Sequence, residues 1–184
     1  MPFPDLAARV AEVRERIAAA VARGGHAQRV TVIAVTKTYS PDAVRSAWEC
    51  GIADVGENRV QEALSKMDEV SVPVRWHLIG HLQRNKAKAV DRFEMVHSVD
   101  SSRLADAVAR VGEERGSPIR GLMQVNASGE EAKGGLSPAE AENEGERWLR
   151  LRGLRVDGVM TMAPLDADER TLRATFGGAR TVRE

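Results

Sequence analysis

The chain has a single cysteine, Cys50, in 184 residues, so no internal disulfide can form. It has no net charge either: 27 basic residues balance 27 acidic ones. That balance gives no electrostatic case for a nucleic-acid or anionic-membrane partner. No apolar run approaches the roughly 20 residues needed to span a bilayer. The opening MPFPDLAARVAEVRER turns charged almost at once and lacks the apolar centre of a signal peptide. These absences predict a soluble, cytoplasmic protein. Linkers, low-complexity tracts and composition breaks are missing as well. The length therefore reads as one domain with a real core. Cys50, in RSAWECG at a helix end, reads as a small packed hydrophobe rather than a nucleophile.

What the chain does carry is periodicity. Over residues 5–23, Leu6, Val10, Val13, Ile17 and Val21 mark one helix face, and Gly24-Gly25 ends it. Short apolar runs then alternate with helical stretches. The predicted strands are 30–36, 54–57, 74–80, 95–99, 119–125 and 156–162. The predicted helices between them are 41–49, 60–67, 85–90, 102–115 and 138–151. Ser40-Pro41 places a capping hydroxyl before a proline at the first helical position. Ser137-Pro138-Ala139-Glu140 does the same and adds the glutamate of a capping box. The strands are continuous apolar runs, as expected of a parallel sheet buried on both faces. Strand–helix repetition of this kind specifies an α/β fold.

Two architectures compete. An open doubly wound sheet expects a glycine-rich phosphate turn after an early strand. The first strand is followed by KTYSPD, which has no glycine. A (β/α)8 barrel expects polar residues at the C-terminal ends of its strands, where such sites are built. Thr36-Lys37, Glu57-Asn58, His81, Ser98 to Asp100, Asn126 and Thr161 meet that expectation. The barrel is the favoured class, with about six strand–helix units present.

Lys37 closes the run VTVIAVT. It reads either as a lysine snorkelling past a strand end or as a Schiff-base lysine. The second role needs the free amine, a form that desolvation at a barrel mouth favours. Asn58 can equally cap the helix RVQEAL. His77 and His81 are four apart on a strand, without the helical face and glutamate of a zinc-protease motif, so a metal site is not expected and His77 reads as a core residue. NASGEEAKGG only superficially resembles a phosphate loop, because no Ser or Thr follows its lysine. Met160 and Met162 would ordinarily be core filler.

Taken in order, AVTKTYSPDAV, VGENRVQEAL, WHLIGHLQRNKAKAV, VHSVDSSRLA, QVNASGEEAKGGL and GVMTMAPL resemble the successive signatures of the pyridoxal phosphate homeostasis proteins, the YggS/PROSC family. The resemblance runs from about residue 5 to about residue 176. It implies a (β/α)8 barrel like the N-terminal domain of alanine racemase. It also implies that Lys37 carries pyridoxal 5′-phosphate (PLP) as a Schiff base, with Asn58 facing the cofactor and His81, Asn126, Thr161 and Met162 at strand ends around it. Family members continue for two further strand–helix units, with a serine- and glycine-rich phosphate loop and an Arg-x-Gly segment that this sequence does not contain. The expectation is therefore a single PLP-binding barrel domain over residues 1–184 that lacks its last two units.

Four functions follow. The leading one is a non-catalytic protein that buffers PLP or delivers it to apoenzymes, monomeric unless open barrel edges associate. A PLP-dependent racemase would need a second base on the opposite face of its substrate, and the only tyrosine is Tyr39. The others are a cofactor-free Schiff-base aldolase and a fragment with impaired PLP binding.

Overall fold

The computed structural model describes residues 3–130 and 133–184. Glu131 and Ala132, within the NASGEEAKGG loop, lie outside the described residues. Helices and strands alternate along the chain, and residue contacts group it into two compact units.

The first unit comprises Met1–Glu57 and Gln61–Trp76. It contains α1 (Leu6–Gly24), β1 (Ala34–Val35), α2 (Pro41–Glu49), β2 (Asp54–Glu57) and most of α3 (Val60–Glu69). Strands β1 and β2 pair in parallel, Ala34 with Val55 and Val35 with Gly56. Val10, Val44, Ala47, Ile52 and Val55 form the core, and Leu6, Cys50, Val72, Val74 and Trp76 pack on it half-buried. Helix α1 ends as its glycines predict. Gly25 takes φ +66°, a left-handed value that favours glycine, and its N–H closes on the Val21 carbonyl.

Two expectations fail in this unit. The buried strand expected over 30–36 shrinks to Ala34–Val35, and Val30 and Val35 are 44% and 48% exposed. Within its unit β1 pairs with β2 alone, so much of the run lies uncovered. Ser40 stands at the start of α2, but its hydroxyl makes no capping hydrogen bond, and Pro41 alone marks the helix start.

The second unit comprises Asn58–Val60 and His77–Glu184. It holds the end of β3 (Arg75–Leu78), then β4 (Met95–Val99), α4 (Ser102–Glu114), β5 (Ile119–Gln124), α5 (Pro138–Leu149), β6 (Leu154–Met160) and α6 (Glu169–Arg183). All pairings are parallel: His77 with Met95, Val96 with Gly121, and β5 with β6 from Ile119–Leu154 to Gln124–Met160. Leu78, Val96, Leu104, Val108, Ile119 and Trp148 are among its fully buried side chains. Helix α4 lies hard against the turn entering β6. A Cβ on Gly112 would sit 1.9 Å from the Gly153 carbonyl oxygen, and one on Gly153 would sit 1.7 Å from that of Ala109. The predicted capping box is present: Ser137 accepts from the Glu140 N–H, and Glu140 Oε2 accepts from the Ser137 N–H at 2.8 Å.

Here too the structure departs from the sequence pattern. The helix expected over 85–90 is a 3₁₀ segment, Arg84–Arg92, tightened by three-residue bonds such as Lys86 N–H to Gln83 O at 2.9 Å. Burial on both faces holds throughout β2 but not in β6, where Arg155 and Asp157 are exposed. Those two belong to a charged lattice: Asp157 receives Arg155 and Arg120, each at 2.7 Å, and Arg120 also reaches Glu94.

Candidate functional site

In the first unit, Lys37 lies two residues past the end of β1, after Thr36, and its side chain is exposed. The expected desolvated amine is therefore not seen, because the strand leading to it is itself largely uncovered. Its neighbours are held tightly. Thr36 is 3% exposed, and its hydroxyl donates to Glu57 Oε1 at 2.6 Å. Lys66, on α3, donates to the Thr36 carbonyl, to Glu57 Oε1 and to Glu62 Oε1, each at 2.8 Å. Glu62 Oε1 also accepts the Thr38 N–H at 2.6 Å. Thr38 adopts φ +66°, a left-handed conformation costly for a β-branched residue. Glu57 is wholly buried, and its Oε2 has no hydrogen-bond partner among the described residues.

Sequence reasoning placed Glu57 at a strand end but missed Lys66 and Glu62. The signal was there: Glu62 and Lys66 stand four apart on α3, the spacing that makes a helical ion pair.

In the second unit, the predicted residues fall in two groups. Asn58 is half-buried against Gly80, where an added Cβ would lie 2.5 Å from the Asn58 carbonyl oxygen. Gly80 in turn accepts the Ser98 hydroxyl at 2.6 Å. His81 is exposed, and its Nδ1 lies 2.7 Å from Asp100 Oδ2. The ends of β3 and β4 thus gather Asn58, Gly80, His81, Ser98 and Asp100. Beneath them the His77 and His97 rings meet edge to face, with Nδ1 of His77 2.9 Å from Nε2 of His97. Burial, and then the charge of His77, lowers the His97 pKa from 6.5 to about 4. His77 is buried, as its strand position predicts. Among the described residues no group of three or more His, Cys, Asp or Glu could hold a metal ion.

The second group stands at the ends of β5 and β6, joined where Val125 N–H donates to the Met160 carbonyl at 2.8 Å. Asn126 spends its amide on its own loop. Its Oδ1 accepts from Ser128 Oγ and the Gly129 N–H, and its Nδ2 donates to the Glu130 carbonyl at 2.8 Å. That commitment follows from its type, since asparagine commonly bonds backbone a few residues ahead in turns. Thr161 Oγ1 is buried without a partner among the described residues. Met162 is 42% exposed rather than core filler.

The family model of the alanine racemase N-terminal domain matches residues 9–183. A pyridoxal phosphate homeostasis protein of Pseudomonas aeruginosa is 37% identical, the match covering 96% of this chain and 78% of that protein. One from Aquifex aeolicus is 34% identical with the same coverages. Among solved structures, PipY of Synechococcus elongatus without PLP superimposes with a TM-score of 0.83 at 35% identity, covering 96% of this chain and 80% of PipY. The structure of PipY with PLP bound gives 0.79 at 32% identity, covering 96% of this chain and 79% of PipY. The fold is thus that of the alanine racemase N-terminal domain, a parallel (β/α)8-type architecture with six strands among the described residues, and the chain belongs to the pyridoxal phosphate homeostasis protein family.

Proposed function

We propose that this protein binds pyridoxal 5′-phosphate and serves its homeostasis, holding the cofactor covalently as a Schiff base on Lys37 without catalytic turnover. The observation that carries the proposal is the setting of Lys37: an exposed primary amine two residues past the end of β1, between two residues fixed by hydrogen bonds. Its relatives carry the homeostasis name, and PipY has been solved with PLP bound. PLP brings an aldehyde that condenses reversibly with a primary amine. The residues present fit it. The Lys37 amine is open to solvent and free to meet an aldehyde.

Asn58, His81, Asn126, Thr161 and Met162 are the further residues assigned to the cofactor. The Asn126 amide, already committed to its loop, would act by shaping that loop rather than by direct donation. The non-catalytic reading is supported by the homeostasis name that its relatives carry. Two-base racemisation needs an acid–base group on each face of the substrate carbon. Tyr39 sits two residues from Lys37, 56% exposed and in edge contact with Phe3. PLP-dependent apoenzymes of the cytoplasm are the recipients this function calls for. Among the described residues no helix is long and apolar enough to cross a membrane.

The test is a spectral titration. Adding PLP should produce the absorbance of a pyridoxyl Schiff base in the natural protein and not in Lys37→Ala. With PLP present, alanine should racemise no faster than with free cofactor. Saturable turnover that disappears in Lys37→Ala would overturn the non-catalytic assignment.

A further inference from the structure

Thr38 is one of two non-glycine residues with positive φ among the described residues, and it directly follows Lys37. For a β-branched residue that conformation persists only where the surroundings enforce it. The enforcing contact is visible. The Thr38 N–H donates to Glu62 Oε1 at 2.6 Å, and the same oxygen receives the Lys66 ammonium at 2.8 Å. Lys66 is 5% exposed and is itself pinned by Glu57 Oε1 and the Thr36 carbonyl. One buried ammonium on α3 therefore grips the backbone on both sides of Lys37, directly at Thr36 and through Glu62 at Thr38.

We propose that Glu62, anchored by Lys66, is a positioning residue for Lys37: it holds Thr38 in the left-handed conformation that turns the chain immediately after the lysine and so sets the direction of the amine. The inference rests on Lys37 being the amine that bears the cofactor. It adds that the amine's presentation is built from α3, by side chains that do not themselves meet the cofactor. Charge and hydrogen bonding can be separated at this position. Gln at 62 keeps a carbonyl acceptor for the Thr38 N–H, whereas Ala removes it. Glycine at 38 takes positive φ without steric cost and needs no enforcing bond.

The experiment compares the natural protein with Glu62→Ala, Glu62→Gln and the double variant Glu62→Ala with Thr38→Gly. Circular dichroism confirms folding of each. PLP is added, and borohydride is introduced after timed intervals. The amine adds to the aldehyde with loss of water, and hydride reduces the resulting C=N bond to a stable secondary amine. Peptide mapping then gives the labelling rate at Lys37. The expected result is a rate about tenfold lower in Glu62→Ala, near normal in Glu62→Gln, and recovered in the double variant; tenfold corresponds to about 1.4 kcal/mol. General destabilisation by the lost carboxylate would not be repaired by glycine at 38.

A cofactor-free arm measures hydrogen exchange of the residue-38 amide, expected to be at least about tenfold faster in Glu62→Ala than in the natural protein. Failure of PLP to label Lys37 in the natural protein would contradict the proposed function, while the exchange arm would still decide whether Glu62 holds the turn. Unchanged exchange in Glu62→Ala, unchanged Lys37 labelling in that variant, or no recovery in the folded double variant would overturn the inference.

Discussion

The ammonium of Lys66 meets the carboxylate of Glu57 at 2.8 Å, and neither side chain is more than 6% exposed. Removing one partner of such a pair strands the other charge away from water. Lys66→Met should cost about 3–5 kcal/mol in urea unfolding. The double variant Lys66→Met with Glu57→Gln should recover a substantial part, because the fully buried charge is then gone and Glu62, which also loses Lys66, is 27% exposed. A loss below about 1 kcal/mol for Lys66→Met would show that water reaches the pair. By contrast, the fully surface-exposed pair Arg150–Glu146, at 77% and 81% exposure, should be removable without measurable loss.

The two helix starts in Ser-Pro contexts should respond differently. Ser137 makes the capping-box bonds and Ser40 makes none. Ser137→Ala should lower stability by about 1 kcal/mol, and Ser40→Ala by a few tenths at most. Equal losses would mean that the Ser40 hydroxyl caps α2 in solution.

Acid should weaken the second unit through His97. Its folded pKa of about 4 lies below the ordinary 6.5, so between these values the unfolded chain binds a proton that the folded chain does not. Stability from the neutral ring is fully present above about pH 6.5 and is lost as pH falls towards 4. His97→Phe should flatten that part of the stability–pH curve. An unchanged slope in the variant would assign the acid sensitivity to other groups.

Close backbone approach between α4 and the turn before β6 leaves no room for a methyl group at Gly112 or Gly153. Either residue changed to alanine should destabilise by about 1–3 kcal/mol. Gly145→Ala, with nothing within 4 Å of the added Cβ, serves as the control and should not destabilise. Similar thermal midpoints for all three variants would argue against this packing.

The alternation of elements was legible in the sequence because periodicity changes sharply from helix to strand, and β2 and β4 begin and end where the apolar runs do. The extent of β1 was not. Residues 30–33 have strand-like composition, but composition does not reveal whether a pairing partner runs alongside. The 3₁₀ form of Arg84–Arg92 was hidden for a related reason, since a short basic stretch suits either helix type. Lys37, Asn58 and Thr161 could be proposed as candidates from their positions near strand ends. The network behind Lys37 could not, because it depends on α3 folding back so that Lys66 reaches the Thr36 carbonyl, 30 residues away in sequence. Asn126 shows the converse: its position suggested a ligand contact, while its side chain organises the loop that follows.

The most direct test is the site of covalent attachment. The protein is incubated with PLP, reduced with borohydride, digested, and the peptides are mapped by mass spectrometry. The pyridoxyl mass is expected on Lys37 and is expected to be absent from the Lys37→Ala variant, with the circular dichroism of the two proteins alike. A pyridoxyl mass on Lys86, Lys88 or Lys133 in place of Lys37, or an undiminished adduct in Lys37→Ala, would contradict that expectation.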